Sequence, residues 1–155
     1  MKGGKEIVIR SIEKPVRGKE SADMLIRWFC EALGLSKQDE KESIEEKILK
    51  KFIYAAFNNK GLSSSEISLG KPIPRSTIIY HLNHFIDIGV VVKKGRKYYL
   101  RSVDMASTIK ELEYDMNREM KKLFDMAEEL NNIMLKSMRS KKASRLKLGN
   151  AKSGD

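Results

Sequence analysis

The chain has little of what most catalytic and metal-dependent proteins need. Among 155 residues there is one cysteine, Cys30, one tryptophan, one glutamine, three prolines and two histidines. A lone cysteine excludes a disulfide framework within the chain and suits a reducing cytosol. No apolar run is long enough to span a bilayer, and the nearest candidate, Phe52 to Phe57, is far too short. There is no secretory signal pattern, so a cytoplasmic protein with no membrane association is expected. A glycine-rich phosphate loop, a GxSxG nucleophile motif and an HExxH metal motif are all missing. Enzymatic activity, catalytic residues and a cofactor are therefore not expected.

What the chain has is charge, unevenly placed. Its 31 basic and 21 acidic residues give a net +10, and 41% hydrophobic content is compatible with a folded core. Residues 1–70 carry +2, residues 71–101 carry +6, residues 102–135 carry −4 and residues 136–155 carry +6. Positive charge concentrated in two segments is the footprint of a polyanion partner.

The first basic segment has a readable design. Ile78, Leu82, Phe85, Ile86 and Gly89 fall at steps of three and four, which gives a helix from Ser76 with one apolar face and a glycine stop. Thr77, Tyr80, Asn83 and His84 occupy the other side. Their side chains can bond base edges or phosphates, although an ordinary polar helix surface would look the same. Two short β runs follow, Val90 to Lys93 and Tyr98 to Leu100, around the turn Lys94, Gly95, Arg96. A hairpin tip bearing Lys93, Lys94, Arg96 and Lys97 repels itself unless it is solvated or beside an anion such as backbone phosphate.

Upstream, Ile44, Ile48, Leu49, Phe52, Ile53, Ala56 and Phe57 mark a core helix over Ser43 to Asn58. Ser63 and Glu66 are spaced as a capping box ahead of a short second helix at Ile67, which Gly70 to Pro74 then break.

This segment resembles the winged helix-turn-helix domain of transcriptional regulators of the ArsR and MarR type, archaeal-like members especially. The resemblance rests on Ser76, Thr77, Ile78, His81, Leu82, Phe85, Gly89, Val90 and Val91, followed by a wing with Gly95 and Tyr99, and covers about 58 of the 155 residues. It implies that the helix from Ser76 enters the major groove while the wing touches the DNA backbone or minor groove. On that basis Ser76, Thr77, Tyr80 and Asn83 read or position, and Arg75, Lys93, Lys94, Arg96 and Lys97 contact phosphate. The chain departs from the pattern at Ile79, on the reading face, and in the long, proline-rich loop from Leu69 to Pro74. No metal site is expected. His81 and His84 stand three apart, but Cys30 is remote and the cysteine pairs of metal-sensing relatives are absent.

From Asp104, a plausible N-cap, apolar residues recur at Met105, Ile109, Leu112, Met116, Met120, Leu123, Ala127, Leu130, Met134 and Met138. The mean step is about 3.67 residues, which predicts a nearly straight helix or a slightly right-handed pair. A long helix with one apolar stripe needs a partner. The expectation is a homodimer seam through Ile109, Leu112, Met116, Met120, Leu123, Leu130 and Met134. The six methionines of this helix also suit an adaptable interface.

The expected organisation is therefore mainly α with a small β wing. Residues 1–36 form an N-terminal extension, with a weakly alternating stretch over Glu6 to Ile12 that could be a strand and a helix over Ser21 to Gly34 that could pack on the helix from Ser43, on the dimer mate or on a third party, the dimer mate being preferred. Residues 37–101 are the winged helix-turn-helix, 102–138 a long coiled-coil-like dimerisation helix, and 139–155 a basic tail expected to be disordered in isolation. Two functions fit. One is a homodimeric, sequence-specific regulator that binds double-stranded DNA. The other is a dimeric factor or scaffold that bridges two particles by binding ribosomal RNA or a ribosomal subunit.

Overall fold

Three helices begin where a short polar side chain accepts a backbone N–H. Ser21 Oγ accepts from Met24 at 3.2 Å, Ser43 Oγ from Glu46 at 3.2 Å, and Asp104 Oδ1 from Ser107 at 2.7 Å. In the computed structural model, which describes residues 8–15, 21–36, 42–67 and 73–152, these caps open α1 (Ala22–Ala32), α2 (Ile44–Phe57) and α4 (Met105–Lys152). Between α2 and α4 lie α3 (Arg75–Ile88), β1 (Val91–Lys94) and β2 (Lys97–Leu100). The described architecture is mainly helical, with one two-stranded antiparallel sheet and a long C-terminal helix. The chain divides into two compact units, Met1–Glu113 and Tyr114–Asp155.

The core of the first unit is built on α2 and α3. Ile48, Leu49 and Phe52 from α2, with Leu82 and Phe85 from α3, are fully buried, and the Phe52 and Phe85 rings lie 6.4 Å apart. Val90, Val91, Tyr98 and Leu100 close this core from the hairpin. Gly89, at φ 97°, ends α3 in the left-handed conformation, and the N–H of Val90 bonds back to Phe85 O at 3.1 Å.

The first helix belongs to this same core, which corrects the expectation that it packs on a dimer mate. Ile26, Cys30 and Leu33 are buried against it, and Asp23 pairs with Lys50 of α2 at 2.8 Å while Arg27 reaches the buried Glu46 at 3.3 Å. An amphipathic face announces burial without naming the partner, and here the partner is α2. Burial, together with the negative charge of Glu46, Glu45 and Glu31, pushes the Cys30 thiol far up. It is a small apolar core residue, not a reactive thiolate.

The hairpin pairs Val91 with Leu100, Val92 with Tyr99, Lys93 with Tyr98 and Lys94 with Lys97. The turn is shorter than expected, with only Gly95 and Arg96 between the strands. Gly95 sits at φ 63°, the conformation that a two-residue hairpin with glycine first requires. Leu62 adds an isolated antiparallel bridge on the other edge of β2 through reciprocal 2.8 Å bonds with Tyr98.

Other expectations shift. Val8 to Ile12 forms no strand, and Arg10 N–H instead bonds Ala32 O at 2.8 Å; Glu6 and Ile7 lie outside the described residues. The Ser63 and Glu66 box is present, with Ser63 Oγ accepting from Glu66 N at 3.3 Å. It supports a turn through the buried Ile67, while residues 68–72 lie outside the described ones. The apolar stripe of α4 is divided in use. Leu112 is buried in this chain's core and Ile109 packs against it, so these two serve the fold instead of a seam between copies. The helix does not stop at Met138 but continues to Lys152. Residues 139–147 lack glycine and proline, and lysine, arginine, alanine and leucine all sustain a helix once its preceding turns are formed. No helix among the described residues is long and apolar enough to cross a membrane.

Replacing Phe85 with alanine is expected to cost about 3–5 kcal/mol in chemical unfolding, since its ring is fully enclosed. A loss below about 1 kcal/mol would contradict the packing just described. The Asp104 carboxyl is held below its ordinary value by bonds from the Ser107 backbone and hydroxyl. Its contribution is therefore complete above the unfolded carboxylate pKa and fades as pH falls through the lower folded value. Asp104→Asn, which still accepts the N–H, should flatten that part of the acid stability profile.

Candidate nucleic-acid interface

With Ile78, Leu82 and Phe85 turned into the core, the 3.6-residue period leaves Ser76, Tyr80 and Asn83 on the opposite face of α3. All three are exposed, and Tyr80 retains 69% of its accessible surface. Thr77 is half-buried beside them, and Arg75 is exposed in the first turn. Pro74 stands at the N-cap and supplies no side-chain cap, while its carbonyl accepts from Thr77 N–H at 3.0 Å and Ile78 N–H at 3.3 Å. The Tyr80 ring meets the His81 ring edge-on at 5.3 Å.

The histidines take no common role. Nδ1 of His81 lies 3.1 Å from Glu45 Oε1 of α2 without forming a directed hydrogen bond, and the side chain is largely covered. His84 is half-buried on the next turn. Ile79, the departure from the expected reading face, is half-buried.

Lys93, Lys94, Arg96 and Lys97 are all exposed on the hairpin, within five residues of chain. Lys94 and Lys97 are direct cross-strand partners. Like charges so placed oppose each other, and a bound anion would relieve the strain. Part of it is relieved internally. Lys93 Nζ lies 5.5 Å from the centre of the Tyr98 ring and Lys94 Nζ 5.6 Å from that of Tyr99. Tyr98 is anchored by Leu62, and the Tyr99 ring lies so close over Gly61 that a Cβ there would collide with it. The cations therefore stand on aromatic supports that are fixed to the body of the first unit.

The fold adds a cation that the sequence did not nominate. Lys60, after α2, lines an open groove of about 370 Å³ together with Lys94, Tyr99, Arg101 and Ser102. Thirty-four residues of chain separate Lys60 from Gly95 at the hairpin tip, and the Leu62 to Tyr98 bridge, with the Tyr99 ring against Gly61, brings them together. Arg101 is partly engaged, since it bonds Gly89 O at 3.5 Å and lies 3.8 Å from Glu111. All nine residues proposed from sequence are thus at the surface, in two sets joined by Gly89 and Val90, with α3 packed on β1.

If the outer face of α3 is free of structural duty, Tyr80→Ala should change the unfolding free energy by no more than about 0.5 kcal/mol. A loss of about 2 kcal/mol or more in a denaturant titration would show the ring to be part of the packing. Comparison with known protein families, curated proteins and solved structures returns no match for this chain.

Proposed function

We propose that the chain is a homodimeric, sequence-specific DNA-binding regulator of transcription whose first unit works as a winged helix-turn-helix. The single observation that carries this reading is the two-sided character of α3. Its apolar face holds the core while Ser76, Tyr80 and Asn83, with Arg75 at the start, face solvent on an element of the right width for the major groove. The hairpin supplies four exposed cations on a braced support, as phosphate contacts require. In this reading the exposed part of the α4 stripe, Met120, Leu123, Leu130 and Met134, pairs with a second copy, with the half-buried Met116 at its edge. Two-fold pairing presents two recognition helices to related half-sites.

A second reading is favoured by a separate observation. The basic C-terminal region is helical, and from Lys136 to Lys147 it exposes six cations with no carboxylate among them. A cationic helix of this kind suits the phosphate-lined surface of folded RNA. The chain would then be a dimeric factor that binds ribosomal RNA or a ribosomal subunit.

One competition experiment separates the readings. Purified chain is offered fragmented genomic duplex and total RNA together, and the bound fraction is sequenced. Recovery of a common duplex motif supports the regulator, and recovery of ribosomal RNA supports the second reading. For the hairpin, alanine at Lys94, Arg96 and Lys97 together should weaken binding and lower the log–log salt slope by roughly 2 to 3. An unchanged slope would remove the hairpin from the interface.

A further inference from the structure

The second unit carries its own instruction about how two copies align. From Met116 the apolar stripe steps through Met120, Leu123, Ala127, Leu130, Met134 and Met138, and the same steps of three and four land next on Lys141 and Arg145. Met120, Leu123, Leu130, Met134 and Met138 are each more than half exposed, as are the neighbouring Phe124 and Met126. Together these side chains form a continuous exposed apolar surface along the helix, and a stable protein interface covers roughly 800 Å² on each side. This is an area that a second copy of the helix could cover.

Charge runs along the helix with a clear polarity. Asp115 bonds Arg118 and Glu119 pairs with Lys122 at 3.0 Å within the helix. Asp125, Glu128 and Glu129 have no ion-pair partner among the described residues. Beyond Glu129 there is no carboxylate up to Lys147, while Lys136, Arg139, Lys141, Lys142, Arg145 and Lys147 are all exposed. A parallel pair would set Lys141 against Lys141 and Arg145 against Arg145 inside the seam, with six cations stacked on six. It would also face Ala127 with Ala127, which leaves a gap in the middle of the apolar layers.

We propose that two copies of α4 pair antiparallel, centred near Asn132, and this rests on the dimer of the reading above. Leu130 then meets Met134 of the second copy, and the small Ala127 meets the large Met138. Lys141 lies over Leu123 with its methylene stem on the apolar surface, and Arg145 lies beside Met120 and Glu119. The cationic end of each helix overlies the acidic half of the other. At 1.5 Å per residue, the two copies of Tyr114 stand about 54 Å apart along the axis of the pair. The points at which the two chains enter the pair are therefore at opposite ends.

The test uses the full-length, nucleic-acid-free chain carrying a spin label at Asn117→Cys, Asn132→Cys or Ser144→Cys. The parent chain, whose only thiol is the buried Cys30, gives the background. Antiparallel pairing about Asn132 predicts axial separations between like labels of about 45 Å at 117 and about 36 Å at 144, with a short distance at 132. Short distances at all three positions would overturn the antiparallel arrangement and leave the dimer standing. A monomer in sedimentation would overturn both. The effect of salt gives a second readout, because added salt weakens an antiparallel pair and strengthens a parallel one. Lys141→Glu with Arg145→Glu should raise the dimer dissociation constant about tenfold or more, since acid then faces acid. An unchanged constant would count against the alignment.

Discussion

The buried core that α2 and α3 share is the constraint on which the rest of the first unit depends. Phe85 and Leu82 enter the same buried cluster as Phe52, Leu49 and Ile48, with the Phe52 and Phe85 rings 6.4 Å apart, and once they do, the helical period leaves no choice about which residues face water. The polar face of α3 is thus a consequence of the core. The chain leaves α3 through the left-handed Gly89, and the hairpin starts two residues later, still pinned to the same core by Val90 and Val91. α3 and the cationic hairpin are supported by one buried core, so a substitution that loosens the core would disturb both.

The long helix obeys a different balance. Its first turns complete the core of the first unit through Ile109 and Leu112, with Thr108 fully buried and accepting from Ser102 N at 3.2 Å. From Met120 onward every described side chain is exposed, yet the apolar stripe continues without a change of period. A stripe of that size left in water is unfavourable by the ordinary measure of the hydrophobic effect, and association is the usual remedy. Charge polarity then discriminates between alignments that apolar contacts alone would leave nearly equivalent.

Much of this was legible in the sequence, for reasons that differ by element. The helices at Ile44 and Arg75 have dense apolar periodicity and a strong start or stop signal, Ser43 in one and Gly89 in the other. The hairpin declared itself through Gly95 between β-branched and aromatic runs, and Asp104 through its place just ahead of the stripe. What could not be read were relations between distant segments. Nothing local tells Ile26 and Cys30 that α2 is their partner, or tells Leu62 that it will bond Tyr98 and bring Lys60 to the hairpin. The stripe of α4 likewise reads as one continuous seam. Only the fold shows that Leu112 is spent on the chain's own core while Leu123 is left free.

In the proposed complex the outer face of α3 and the hairpin tip together meet duplex DNA. Backbone amide chemical shifts of the chain, followed as a selected duplex is added, test it directly. The largest changes should fall on Arg75, Ser76, Tyr80 and Asn83 and on Lys93 to Lys97. Changes confined to residues beyond Lys136, with α3 and the hairpin unmoved, would contradict it.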